Sequence, residues 1–308
     1  MKNKTFITIG LLFLAISGFS QFTSLKSGTT KKLNSVFFTN SSTGYVVGSY
    51  GTILKTTDAG NSWSVLSTDF KNDLNSVWFT NENTGYVAGY GGNILKTTDA
   101  GGSWKKLTTG TESKLLSIHF PDQNIGYAIG NEILHDRPTI IKTTDAGESW
   151  ITLTNPPGFL IRSVFFTSPN TGYVVGDLGV VVRTTDGGAT WTYLKPGPSK
   201  NFTSVYFKDA NTGYIVGWNG MFFKTSDAGN TWKRLTTGST AHLNSVFCST
   251  TNLVCGVGDE GLLLLSNDGG DTWKTFGGMP FDDPLLSVYF TNSGAGFAVG
   301  EGGKIMKK

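Results

Sequence analysis

Six aspartates of this 308-residue chain stand in almost the same surroundings: TTDAGNSW around Asp58, TTDAGGSW around Asp99, TTDAGESW around Asp145, TTDGGATW around Asp186, TSDAGNTW around Asp227 and SNDGGDTW around Asp268. A carboxylate flanked by hydroxyls and glycine can be a catalytic acid or base, part of a metal loop, or the anchor of a tight turn. Metal loops converge several carboxylates on one ion, whereas most of these copies offer one. Catalysis needs a single copy, and a repeated turn accounts for all of them. The short carboxylate can accept N–H bonds across the turn, Gly60 in the first copy tolerates positive φ, and the Ser or Thr hydroxyl adds a local bond. The tryptophan that follows supplies a large apolar face.

The other reactive side chains are few. Three histidines make no metal-binding spacing: His119 replaces an aromatic residue in an apolar run and reads as core, His242 stands alone in a connection, and His135 sits in an insertion. No cofactor or metal is expected. The two cysteines, Cys248 and Cys255, replace both members of a Phe and Tyr pair that recurs elsewhere. If that hairpin is symmetric they face each other, which makes them candidates for a disulfide.

The elements that carry these residues repeat as faithfully as the aspartates, at spacings of 41, 46, 41, 41 and 41 residues. That is the length of a four-stranded propeller blade. A first apolar run occurs seven times, first as SVFF at Ser35 and last as SVYF at Ser287. A second runs from TGYVVG at Thr43 to AGFAVG at Ala295, a third such as TILKT at Thr52 enters the aspartate turn, and a fourth leaves it at the tryptophan. Each is short, rich in β-branched and aromatic residues, and bounded by turn formers. Seven first strands accompany six aspartate turns, because the last unit stops at GKIMKK. Phe22 precedes Leu33 by eleven residues, as Trp63 precedes Leu74, so residues 22–26 read as the missing fourth strand. The sequence therefore predicts an all-β, seven-bladed β-propeller of four-stranded antiparallel blades, closed by the N-terminal strand pairing with the last blade.

In such a ring the blade-to-blade connections and the second-to-third strand turns share one face, and the aspartate turns lie on the other. The repeats diverge on the first face, where a rigid scaffold can present binding loops. Tyr50, Tyr90, Asp177, Trp218 with Asn219, Asp259 with Glu260, and Glu301 occupy its short turns. The third unit adds five residues within NEILHDRP, placing His135, Asp136 and Arg137 there. Arg162 begins a first strand near the mouth of the central channel, and Lys31, Lys32, Lys71, Lys114, Lys195 and Lys200 lie in the connections. The partner-binding candidates are Tyr50, Tyr90, His135, Asp136, Arg137, Arg162, Trp218, Asp259 and Glu260. Arg183 and the equivalent Lys55, Lys96, Lys142 and Lys224 read as a solvated basic row on the third strands.

Residues 1–20 read as a cleavable secretory signal, with the basic MKNK, the apolar FITIGLLFLAI and small residues at Gly18 and Ser20. Residues 21–308 then form the one propeller domain, exported to the periplasm or secreted. Losing Lys2 and Lys4 takes Lys+Arg from 25 to 23 against 22 acids, so the net charge falls from +3 to +1. A near-neutral chain does not suit nucleic acid. No membrane span is expected in the mature chain, and a monomer is expected.

The six copies of [ST]-x-D-[AG]-G-x-[ST]-W resemble the Asp-box, or BNR repeat, of sialidases, sortilin-type receptors, some xyloglucan hydrolases and the photosystem II stability/assembly factor family. TGYVVG, followed by G-x-[IV]-[LV]-[KR]-[TS]-[TS]-D and the box, looks most like the last of these over residues 22–308. A sialidase resemblance would require an arginine triad and an F-R-I-P stretch; the chain has Arg137, Arg162, Arg183 and Arg234 and no such stretch. A xyloglucan hydrolase would need two facing carboxylates, for which Asp177, Asp259, Glu260 and Glu301 are the candidates. The resemblance to the assembly factors implies a non-enzymatic scaffold that binds a protein or peptide, such as a subunit of a membrane protein. A glycan-binding protein, with Tyr50, Tyr90 and Trp218 stacking on sugars, and a secreted glycoside hydrolase are the alternatives.

Overall fold

The computed structural model describes residues 22–135, 137–154, 160–197, 200–249, 251–276 and 283–308. The expected leader, 1–20, and Asp136 of the insertion lie outside them. Seven four-stranded sheets stand in a ring. In the first blade the strands are Leu33–Phe38, Gly44–Gly48, Ile53–Thr56 and Ser64–Val65, running from the channel outward. Every residue of the second strand is buried, because neighbouring blades cover both of its faces. The outer strand is exposed. The seventh blade takes its outer strand from the other end of the chain: Thr23–Leu25 pairs antiparallel with Ile305–Lys307, Thr23 opposite Lys307 and Leu25 opposite Ile305. Phe22 buries its ring edge-on against Phe276 and Phe290, at 5.9 and 6.4 Å between centroids, and so anchors the closing strand.

Aromatic stacking joins the blades. In the first hairpin Phe37 is opposite Tyr45 and Phe38 is opposite Gly44, so Phe38 and Tyr45 point to opposite faces of the sheet. Tyr45 stacks on Phe79 of the next blade at 4.1 Å, and Phe38 stacks on Phe297 of the previous blade at 4.1 Å. Gly44 makes room for this ring, since a Cβ there would lie 2.6 Å from the Phe38 ring. Each such pair adds about 0.5–1.5 kcal/mol beyond simple burial.

The same register corrects the disulfide expectation. Cys248 is opposite Val254 and Cys255 is opposite Phe247, so the two thiols lie on opposite faces of their sheet. Both are free and buried, in separate core clusters. The sixth blade replaces the Phe and Gly pair of the other hairpins with Cys248 and Val254, and the valine fills volume beside Tyr214 that the phenylalanine ring takes elsewhere.

Each aspartate closes its own turn. Asp58 Oδ1 accepts from the Thr56 hydroxyl at 2.8 Å and the Ser62 N–H at 2.9 Å, while Oδ2 accepts from the Ser62 hydroxyl at 2.6 Å. The Ser62 hydroxyl above all, then its N–H and the Thr56 hydroxyl, hold the carboxyl down to about 2. Gly60 has φ +77°, and a Cβ on it would lie 2.3 Å from the Phe297 ring of the neighbouring blade. The turn is thus also an interblade contact.

That contact corrects the solvated basic row. Lys55 Nζ and Tyr45 Oη both donate to the carbonyl of Ala100 in the next blade's turn, each at 2.7 Å. Lys96 with Tyr86, Arg183 with Tyr173, and Lys224 with Tyr214 do the same to Ala146, Ala228 and Gly269. Lys142 and Tyr127 share Gly187. The row bridges blades.

Candidate functional site

Every inner strand carries a β-bulge near its start: Asn34, Asn75, Leu116, Arg162, Thr203, Asn244 and Leu286. A bulge takes a residue out of the ladder and re-aims its side chain. At four positions that side chain bridges to the next blade: Asn34 donates to the carbonyl of Leu74, Asn75 to Leu115, Thr203 to Leu243 and Asn244 to Leu285, at 2.6 to 3.0 Å. In the third blade Leu116 cannot, and Asn131 replaces it by donating to the carbonyl of Ile161 and accepting from its N–H, both at 3.0 Å. In the fourth blade Arg162 turns instead to its own sheet, where Nε and Nη2 grip the two oxygens of Asp177, the latter at 3.0 Å.

Further down the channel one ring-bearing residue from each inner strand meets the others around the axis. Phe37, Trp78, His119, Phe165, Tyr206, Phe247 and Tyr289 form a closed ring of contacts at 4.2 to 5.3 Å between centroids. His119 is a core member of this ring, as its position implied, and burial lowers its pKa to about 3. It is therefore neutral, and its Nδ1 accepts from the Phe166 N–H at 3.4 Å. With an aromatic floor, the channel opens as a funnel toward the face of the interblade connections.

The divergent residues lie on that face, and part of them come together. Trp218 is 39% exposed; its indole stacks on His242 at 5.0 Å with an 11° tilt, and the Arg162 guanidinium lies 6.0 Å from its ring. His242 Nδ1 accepts the N–H of Asn219 at 3.0 Å, as Asp73 and Asn201 accept those of Tyr50 and Leu178 in their own blades. The histidine that reads as isolated in the sequence is thus the platform under the exposed tryptophan. Beside this cluster a cavity of about 280 Å3 is lined by Tyr90, Lys114, Leu116, Asn131, Glu132, Ile133, Leu160 and Arg162. The insertion forms its wall, closed by a bond from the Glu132 N–H to the carbonyl of Arg137 at 2.8 Å. His135 faces Glu132 at 3.5 Å and Arg137 is exposed.

Tyr50, Asp259 and Glu260 stand elsewhere on the rim. Tyr50 is exposed with Lys31 over its ring at 5.6 Å, and Asp259 accepts from Asn244 at 2.9 Å. Tyr50 and Glu260 both occupy left-handed turn positions, at φ 56° and 57°. Of the nine large exposed hydrophobic residues among the described residues, six lie on this face: Tyr50, Tyr90, Ile133, Leu134, Leu178 and Trp218. Sequence reasoning missed Leu116, Glu132, Ile133, Leu160 and His242. The insertion NEILHDRP and the leucine at position 116, where four of the other bulges carry Asn or Thr, were the available signals for this cavity. Among the described residues no group of three or more His, Cys, Asp or Glu side chains could hold a metal ion.

Comparison with known proteins places this geometry. The family profile of the Photosynthesis system II assembly factor YCF48 matches residues 16–154, 103–195, 148–240 and 191–276. A solved structure of YCF48 bound to D1 peptide is similar with a TM-score of 0.77 at 21% identity, covering 94% of this chain and 95% of that one. YCF48 from Cyanidioschyzon merolae gives 0.77 at 18%, covering 94% and 98%. The WD40 propeller domain of Doa1 gives 0.76 at 14%, covering 94% and 97%. At these identities the likeness to the solved structures shows the fold. A sequence search of curated proteins returned no match. The profile spans the repeats from the closing strand to the sixth blade, and the chain belongs to the Photosynthesis system II assembly factor YCF48 family.

Proposed function

We propose that this chain is an exported, non-enzymatic propeller that binds a peptide segment of a partner protein across the funnel face of its second to fifth blades. The observation that carries this reading is the convergence of Trp218, Arg162 and the cavity behind Tyr90 on the one face where exposed apolar side chains gather. Buried aromatic and arginine anchors dominate such interfaces. A relative of the same fold is described as bound to D1 peptide, and the family as an assembly factor. Together these support a peptide of a membrane-protein subunit as the partner. Arg162 is already paired with Asp177, so it acts as a fixed edge of the funnel with its remaining N–H groups directed to a carbonyl or carboxylate. Asp177 and Asp259 are engaged by Arg162 and Asn244, which supports binding over hydrolysis. Export rests on the leader and places the encounter in the periplasm or outside the cell.

Affinity capture from the native envelope followed by cross-linking tests this. Trp218→Ala is expected to lower recovery of the partner severalfold, while Lys233→Ala on an exposed outer strand leaves it unchanged. Cross-links confined to the aspartate-turn face, or recovery of glycans in place of protein, would overturn the assignment.

A further inference from the structure

The opposite face carries a second concavity, independent of the funnel. Below the aromatic ring, between the first hairpins of the fifth, sixth and seventh blades, lies a cavity of about 320 Å3. Tyr206, Phe247 and Tyr289 of the ring line it, Phe207 and Phe290 flank them, and Lys208 stands at its edge.

Two polar groups there are incompletely used. The hydroxyl of Tyr289 donates to the carbonyl of Phe38 in the following blade at 3.0 Å. Its counterpart on Tyr206 makes no hydrogen bond among the described residues, although the ring is held on both sides by Phe165 and Phe247 at 4.8 and 5.0 Å. Burial raises the Tyr206 pKa far above the usual tyrosine range, so the phenol keeps its proton and presents a donor. Tyr206 is partly exposed and lines the cavity, so its hydroxyl can donate to an acceptor bound there. Lys208 donates one N–H to Asn252 Oδ1 at 2.7 Å, leaving the ammonium two further donors at the mouth.

We propose that this cavity is a binding site for a compact aromatic carboxylate. Its ring lies against Phe207, Phe247 and Phe290, one oxygen accepts from the Tyr206 hydroxyl, and the carboxylate meets the Lys208 ammonium. The volume fits a ligand of roughly ten non-hydrogen atoms, taking about 30 Å3 for each as for water in the liquid. Benzoate has that size and charge.

Titration of the purified protein with benzoate, followed by calorimetry, tests the site, and benzamide serves as the uncharged probe. Benzoate is expected to bind saturably. Tyr206→Phe weakens it about tenfold, and Lys208→Met weakens benzoate about tenfold while leaving benzamide unchanged. Trp218→Ala changes neither, which separates this site from the funnel. Without ligand, Tyr206→Phe melts no lower than wild type, because the hydroxyl it removes bonds to none of the described residues. No saturable binding to wild type, benzoate affinity as high as that of wild type in either variant, or a lower melting temperature of unliganded Tyr206→Phe would each overturn the assignment.

Discussion

Replacing Lys224 by methionine removes an ammonium and keeps the apolar stem, so it isolates one interblade bridge. Lys224 Nζ and Tyr214 Oη donate to the same carbonyl of Gly269, at 2.8 and 2.9 Å, and the ammonium sits 5.8 Å from the Tyr214 ring. A hydrogen bond from a charged donor contributes about 1.5–3 kcal/mol, and partial exposure together with the remaining Tyr214 donor puts Lys224→Met near the lower end. Tyr214→Phe, which loses a neutral bond, is expected to cost about 0.5–1.5 kcal/mol. Each single variant leaves the carbonyl one donor and the double variant leaves it none. The double should therefore exceed the sum of the singles by about 1 kcal/mol. Thermal melting reads this as a loss of about 2–4 °C per kcal/mol for a domain of this order of size. Lys233→Met, on an exposed outer strand, is the control expected within about 0.5 kcal/mol of wild type. A Lys224→Met protein melting within about 1 °C of wild type, or a double variant that is merely additive, would refute the bridge and restore the solvated row.

Three further outcomes are expected. His119, whose folded pKa of about 3 lies below its unfolded value near 6.5, makes the fold lose stability as pH falls from about 6.5 toward 3, because only the unfolded chain takes up the proton there. His119→Phe should therefore raise the melting temperature more at pH 5 than at pH 8, and an equal gain at both values would show that the imidazole is solvated. Non-reducing mass spectrometry of the denatured, alkylated protein should show two modified thiols, at Cys248 and Cys255, and an intact disulfide would contradict the register. A protein beginning at Ser27 should melt lower and aggregate, since the last blade then exposes Ile305–Lys307 as an open edge; unchanged melting would show that Thr23–Leu25 does not close the ring.

What the sequence alone determined is whatever recurs. A period of 41 residues, four short strands to a unit and a fourth strand standing alone at Phe22 impose the blade count and the closure, because no other arrangement pairs that strand and covers both faces of strands such as Gly44–Gly48. The divergent turns likewise marked the funnel face, as loops on a repeated scaffold must. Tertiary structure decided which neighbours those residues meet. Phe38 and Tyr45 recur together yet never touch, because a separation of seven residues across this hairpin puts them on opposite faces, and each finds its partner in a different blade. Lys224 looks solvated along its own strand until the turn of the next blade arrives 45 residues later. His242 and Trp218 belong to different units, and Arg162, at the same bulge position as Asn34 and Asn75, leaves their bridging role because its longer side chain reaches Asp177. Repetition reports the forces within a unit, and the candidate sites arise where units meet, at distances along the chain that no local pattern encodes.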